Sequence, residues 1–283
     1  MKKHLALLLQ AAGWMLLAGV LLQLYFIARI GLMVWIDPQS TTFQRSEMAL
    51  LAARGQFQWK QQWVPGSAIS EHLMRTVIAS EDGDFLNHSG IDWEAIQSAR
   101  TRNAAAQARA QEQTERLQRR QKLAQERAQR RMERLQKAGR PVSPALQAAA
   151  SGASTPAAIQ PKVVGASTIS QQLAKNLFLS GERTLFRKAQ EVLLTYYLEW
   201  ILGKRRILEI YLNNVEWGAG VFGAEAAAQH YFGKPAARLN VMEAARLAVM
   251  LPRPKHFEQH RNARYLTSRA ATIAAWSRDV ELP

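Results

Sequence analysis

The sequence contains no cysteine, which excludes thiol chemistry and disulfide stapling and leaves the redox compartment open. Acidic side chains are scarce beside basic ones, 22 Asp and Glu against 37 Lys and Arg, giving a formal net charge of +15. That imbalance points to an anionic partner: nucleic acid, a membrane surface or a phosphorylated substrate. No segment sustains the apolar–polar alternation of a half-buried strand and no repeat is present, so a mainly α chain is expected. A glycine-rich bend at 217–223 lacks a P-loop's lysine and follows no strand, which argues against nucleotide binding.

What is present begins with an apolar run. After MKKH, residues 5–28 carry no charge, and at roughly 1.5 Å per residue they give about 36 Å of helix, enough for a hydrocarbon core of about 30 Å. A cleaved signal peptide has a shorter apolar stretch, so the run reads as an uncleaved single-pass anchor. Lys2 and Lys3 precede it and only Arg29 follows before Asp37, which puts the short N-terminus in the cytoplasm and the rest outside it. On that side the chain meets no genomic DNA, and nucleic acid drops from the candidate partners. Residues 37–61 read as a juxtamembrane connector, with a short helix near 46–53 and an extended piece at 57–59.

From Ser70, Leu73, Val77 and Ile78 share a helical face, and that helix runs into Glu81, Asp82 and Asp84. Anions are disfavoured at a helix C-terminus, so another requirement holds them there. A glutamate bordering an apolar face is partly desolvated, which raises its pKa toward the range of a general base. Glu81 is that candidate, although a solvated acidic turn fits the local sequence as well. His88 by itself reads as a structural hydrogen-bonding residue.

The stretch 165–191 holds two further helical segments. Thr168 is placed as an N-cap with Gln171 three residues on, the capping-box spacing. Gln171 and Lys175 share a face, and so do Arg183, Arg187 and Glu191. A helix N-terminus beside clustered cations suits an anionic oxygen group, most naturally phosphate. A solvated face with ordinary ion pairs suits the same spacing.

Between these regions the composition shifts. Residues 100–140 contain 13 Lys or Arg and 4 Glu, a net +9 by 13 − 4, with few large apolar side chains. Glu-to-cation pairs four apart, such as Glu112–Arg116 and Glu126–Arg130, predict a long exposed helix ended by Gly139, Pro141 and Pro144. A flexible linker is expected at 152–161. A solvated spacer is the preferred reading of this segment, over an arm for anionic lipid headgroups or a partner-binding helix. Downstream, helices are predicted at 204–214, 224–231, 241–251 and 263–278, with Gly203 ending the apolar helix before them.

Four ordered motifs resemble those of the peptidoglycan glycosyltransferases, glycosyltransferase family 51. They are Glu81-Asp82-x-x-Phe85-x-x-His88-x-Gly90; Gly165-x-Ser167-Thr168-Ile169-x-Gln171-Gln172-Leu173-x-Lys175-Asn176; Arg183-Thr184 with Arg187-Lys188-x-x-Glu191; and Lys204-x-x-Ile207-Leu208-Glu209-x-Tyr211-Leu212-Asn213. The likeness covers 62–257 apart from the basic segment, with Ala166 and Ser170 standing where glycine and threonine are common. It implies a lysozyme-like, two-lobed helical glycosyltransferase domain at 62–283, behind an anchor at 1–36 and the connector, with 101–160 a basic insert. With no transpeptidase segment following, the similarity is to monofunctional, membrane-anchored members.

The resemblance implies polymerisation of lipid II into glycan strands with release of the lipid diphosphate. Glu81 maps to the general base. Glu191 maps to a second carboxylate that either orients the diphosphate-binding side chains or helps hold a divalent metal, Mg or Mn, and no organic cofactor is implied. Ser167, Thr168, Gln171, Gln172, Lys175, Arg183, Arg187 and Lys188 map to binding the donor diphosphate. Asp82, Phe85, His88, Asn176, Lys204, Glu209, Tyr211 and Asn213 join them as candidate substrate-binding residues. The implied partners are lipid II, the growing glycan chain and the membrane, with other cell-wall synthesis proteins left open.

The chemistry agrees with that division of labour. A sugar hydroxyl attacking an anomeric carbon needs a base, while a diphosphate leaving group needs cations rather than a strong acid. A single in-line displacement inverts the anomeric carbon. A glycosidase needs two carboxylates in paired roles, so a lysozyme-like hydrolase is the nearest rival. The other rival is an inactive membrane-anchored adaptor that binds glycan or anionic lipid through residues 100–140.

Overall fold

A computed structural model describes residues 2–152, 158–161, 163–179 and 184–283, and among them eleven α-helices and three short strands. The chain forms two compact units, Met1–Asp92 with Ser167–Pro283, and Trp93–Ala166.

The first unit opens with α1 (Lys2–Leu32), whose segment Ala6–Leu32 is long and apolar enough to cross a membrane. Leu8 and Leu16 are 68% and 72% exposed, a surface that is unfavourable in water and suited to lipid. Its C-terminal end is different. Ile30 is buried, Phe26 stacks edge-on against Phe178 at 5.4 Å, and the Gln23 amide donates to Gln190 Oε1 at 3.0 Å.

α2 (Thr42–Ala53) starts earlier than the predicted 46–53, because Thr41 and Gln44 form a capping box. It is no loose connector. Gln44 Nε2 donates to the Asn214 carbonyl at 3.0 Å and Thr42 Oγ1 to the Leu177 carbonyl at 2.9 Å, so residues expected to be a link belong to the compact unit. β1 (Lys60–Gln61) pairs in parallel with β3 (Val221–Phe222), which pairs antiparallel with β2 (Glu216–Gly218), giving the order β1-β3-β2. The glycine-rich bend is thus a hairpin. Gly220, at φ +69°, lets the backbone reach Gln58, since a Cβ there would lie 2.0 Å from its carbonyl oxygen.

The helices then fill the core. α3 (Glu71–Glu81) is capped by Ser70 and packs against α9 (Val241–Met250) and α11 (Arg264–Trp276). α6 (Ile169–Phe178) lies on α7 (Leu185–Asn214), and α7 is broken at Gly203, whose φ of 70° and ψ of 165° leave the helix. The predicted stop at Gly203 therefore appears as a kink between two helical halves. α8 (Ala224–Phe232) and α9 present buried alanines, allowing close approach, around a core that includes Leu73, Leu173, Leu198, Tyr211 and Trp217. Short α10 (Pro254–Gln259) lies between the helices expected at 241–251 and 263–278, and its Pro254 suits the first turn of a helix.

The second unit consists of α4 (Trp93–Lys137), its return helix α5 (Pro144–Ser151) and the segment after it. It is wider than the expected 101–160 because α4 runs unbroken from Trp93.

Candidate active site

The turn after α3 is fastened to the start of α6. Asp82, the C-cap of α3, is buried, and its two oxygens are both engaged: Oδ2 accepts the Ile169 N–H at 2.9 Å and Oδ1 pairs with His88 Nε2 at 2.8 Å. His88 Nδ1 accepts the Gly90 N–H at 3.0 Å, so the proton facing Asp82 is on Nε2. Thr168 Oγ1 donates to the Gly90 carbonyl at 2.6 Å while accepting the Gln171 N–H, and Gln171 closes the capping box. The carboxylate that looked misplaced at the end of α3 therefore sits at the N-terminus of α6, where the helix dipole favours it.

This fastening sets Glu81 beside α6. Gln172 Nε2 donates to Glu81 Oε2 at 3.1 Å, and the buried Tyr211 hydroxyl donates to Gln172 Oε1 at 3.0 Å. Burial pushes the Glu81 carboxyl above its usual range, with Gln172 pulling the other way. Burial also pushes the Tyr211 hydroxyl well above its ordinary value, so it stays protonated. Tyr211 thereby fixes which end of the Gln172 amide faces the glutamate.

Beyond Gln172 lie the cations. Lys175 is exposed as a residue, yet its pKa is lowered, chiefly by desolvation from the groups packed around it. Glu191 raises it, Arg187 and Lys188 lower it, and Glu81 raises it slightly, so Lys175 is within electrostatic reach of both carboxylates. Glu191 is buried at 3% exposure, with Oε2 on Arg187 Nη1 at 3.2 Å and Oε1 on Lys188. Among the described residues, Arg187 Nε is buried without a partner.

Several residues predicted to bind substrate do something else. Phe85 is fully buried and holds the Lys204 ammonium 4.6 Å over its ring. Lys204 donates to the His88 carbonyl at 2.6 Å and to Glu199 at 2.8 Å. Glu209 accepts the Gly66 N–H at 2.7 Å and pairs with Arg206. Asn213, with no exposure, binds both backbone groups of Val64 at 3.0 Å. Asp82, His88, Thr168, Gln171 and Asn176 are buried or hydrogen-bonded within the fold, whereas Ser167 is exposed. These motif residues pack behind the site, which leaves Glu81, Lys175, Arg187 and Lys188 as the candidates for meeting a substrate, with Gln172 holding Glu81. Arg183 lies outside the described residues.

Sequence reasoning missed Glu199. It collects Ser170 Oγ and Lys204 Nζ on one oxygen, beneath a Gly90 whose Cβ would lie 2.9 Å from Glu199. A glutamate inside the apolar run 192–202 was the available signal.

The residues do not fit a metal held by Glu191, because both its oxygens are taken by cations. Among the described residues no group of three or more His, Cys, Asp or Glu could hold a metal ion. A cavity of about 600 Å³, lined by residues that include Ile78, Phe85, Asn87, Trp276 and Val280, sits beside the 83–87 turn and excludes Glu81.

What the arrangement offers is one desolvated carboxylate near a cluster of cations. A family model described as transglycosylase matches residues 47–135 and 145–277, and the chain belongs to that family, whose helical, lysozyme-like fold is the one seen here. More particular likenesses follow. The chain is 42% identical over 275 residues to a biosynthetic peptidoglycan transglycosylase of Herminiimonas arsenicoxydans, covering 95% of this chain and 96% of that one. Proteins of the same name from Bordetella pertussis and Burkholderia thailandensis are each 42% identical, over 264 and 280 residues, covering 92% and 96% of this chain and 89% of theirs in both cases.

Proposed function

We propose that this protein is a peptidoglycan glycosyltransferase that extends glycan strands from lipid II. The observation that carries the reading is the placement of Glu81, desolvated and hydrogen-bonded to Gln172 of α6, with Lys175 of that same helix within electrostatic reach both of Glu81 and of the Arg187–Lys188–Glu191 group.

Glu81 takes the proton from the acceptor sugar's hydroxyl as its oxygen attacks the donor's anomeric carbon. The new C–O bond forms on the face opposite the departing diphosphate, so the carbon inverts. The C–O bond to phosphate breaks, and negative charge grows on the diphosphate. Lys175, Arg187 and Lys188 stabilise that charge more strongly in the transition state than in the ground state. Glu191 keeps those three cations together; without it, their mutual repulsion would spread them or discharge Lys175. A retaining hydrolase would need a second carboxyl free to act on the sugar, and Glu191 is bound by two cations instead.

The apolar α1 keeps the enzyme at the membrane that carries its lipid-linked substrate. With Lys2 and Lys3 at its start, the short N-terminus is cytoplasmic and the catalytic unit faces the periplasmic side of the inner membrane.

Purified protein and lipid II in detergent test the reading. Polymer forms with the wild type and is lost in Glu81→Gln. Sugar fragments released from finished peptidoglycan, without polymer from lipid II, would establish the hydrolase, and turnover of neither would establish the adaptor.

A further inference from the structure

The second unit carries a surface that the chemistry does not use. Helix α4 spans 45 residues, about 67 Å at 1.5 Å per residue. One of its faces is covered by the chain's return. Ala110, Ala128 and Ala150 are buried there, Gln125 and Gln129 donate to the Ala150 carbonyl at 3.3 and 3.1 Å, Thr114 Oγ1 accepts the Ile159 N–H at 3.2 Å, and Asn103 and Val164 exchange two hydrogen bonds.

At right angles to that face, Arg102, Arg109, Arg116, Arg120, Arg127, Arg131 and Arg134 fall on one line. With successive residues turning about 100°, none departs from it by more than about 40°. All seven are exposed. Arg100, Arg119 and Arg130 are off the line, as are the two lysines of the helix, Lys122 and Lys137, and Glu115, Glu126 and Glu133, with Arg119 paired to Glu115. Only Glu112 reaches it, pairing with Arg116. Ordinary solvated helices interleave their charges. Here the acids are gathered on one flank and the stripe itself is arginine, whose planar fork matches phosphate oxygens two at a time.

We infer that this stripe is a docking surface for a bilayer rich in anionic phospholipid. Three observations favour a membrane over other anions. The stripe is straight and as long as a row of headgroups. Its apolar content is small, with Leu117 and Leu123 flanking it on either side, so it suits lying on headgroups rather than entering the acyl region. The same chain carries α1, which confines the stripe near a bilayer and raises its effective concentration there. The inference relies on α1 as an anchor and not on the glycosyltransfer reaction. It replaces the expectation of an inert spacer, which would have no reason to gather seven exposed arginines along one line.

The absence of cysteine makes the test clean. Leu123→Cys in the full chain is labelled with a donor dye and reconstituted into vesicles carrying a headgroup acceptor dye. Energy transfer is expected to be high in vesicles with about a third phosphatidylglycerol, and low in pure phosphatidylcholine. It should fall as salt rises to about 0.5 M, where the screening length is a few ångström. In R120Q/R127Q/R131Q the equilibrium constant for docking should drop about a hundredfold, at about fivefold per arginine, with helicity by circular dichroism unchanged. E126Q/E133Q should keep or strengthen the signal. Polymerisation of lipid II in detergent should be equal in all variants, which separates failure here from failure of the proposed reaction. Transfer that ignores lipid charge, salt and the triple substitution would overturn the inference, as would tight binding of a duplex DNA probe with no response to phosphatidylglycerol.

Discussion

Replacing Gln172 by leucine isolates the contact that tunes the base. Burial raises the Glu81 pKa, and the largest effect opposing it is the hydrogen bond from Gln172, 3.1 Å from Oε2. A hydrogen bond to a charged partner contributes about 1.5–3 kcal/mol, and one pKa unit corresponds to about 1.4 kcal/mol. Losing the amide should therefore raise the Glu81 pKa further, since a donor to the charged form is removed and burial is left less opposed. A general base works only when deprotonated, so the sign is fixed. The acid limb of kcat/KM moves to higher pH, and on that limb the rate at a given pH falls by roughly ten- to a hundredfold, the equivalent of about 1.5–3 kcal/mol. Above the shifted pKa most of the rate returns. Tyr211→Phe should move the limb in the same direction by less, since it frees the amide to turn without removing it. Initial rates of lipid II polymerisation in detergent from pH 5 to 9 measure both. A uniform loss at every pH, with the acid limb unmoved, would refute the reasoning and assign Gln172 to the substrate instead.

Three further outcomes follow from the same geometry. Glu191→Gln removes the anion that holds the Lys175 pKa up, so the alkaline limb should move to lower pH and activity should fall; an unmoved limb in the same rate profile would detach Lys175 from Glu191. Glu216, buried on β2, has its pKa raised from 4.5 to about 7, mainly by burial, with Lys255 opposing and Glu47 adding to the rise. The folded state then holds a proton that the unfolded chain releases, so this group's contribution to stability is full below pH 4.5 and is lost as pH rises to about 7, a change of about 3 kcal/mol. Urea unfolding of wild type and Glu216→Gln at pH 4.5, 6 and 8 should show the difference between them growing with pH. Gly220→Ala drives a Cβ to 2.0 Å from the Gln58 carbonyl at a left-handed φ. It should cost about 2–4 kcal/mol, seen as a lowered thermal midpoint, and a midpoint within a degree of wild type would contradict the parting of β1 from β3 expected here.

The helices were legible because their signals are local. The Thr168 capping box, the period of Leu73, Val77 and Ile78, and the run of helix formers in α4 each lie within one turn or one element, and the structure realises each. The sheet was not legible, since β1 and β3 are two residues each and are joined across 160 positions of sequence, too short for any alternation to register. The capping box at Thr41 was equally local, but it lay in a stretch already read as a connector, and so α2 was started late.

The site divides along the same line. Residue types and spacing were enough to single out Glu81 and the cations, because a base and a leaving-group site need those chemistries wherever they sit. Spacing could not separate contact from support. Phe85, Lys204, Glu209 and Asn213 lie in motifs as dense as the one holding Gln172, yet each is turned toward the backbone or the core. The physical reason is that a desolvated base tolerates little movement: an error of an ångström in Glu81 would break its contact with Gln172. Holding it needs the 82–90 turn fixed at both ends, and that is what Asp82 on the α6 N-terminus and Lys204 under His88 do. Asp82, His88, Thr168, Gln171 and Lys204 are therefore spent on one carboxylate's position. Substitutions at Asp82 or Lys204 should accordingly lower kcat more than they raise KM, the split expected of residues that place the base without touching the sugar.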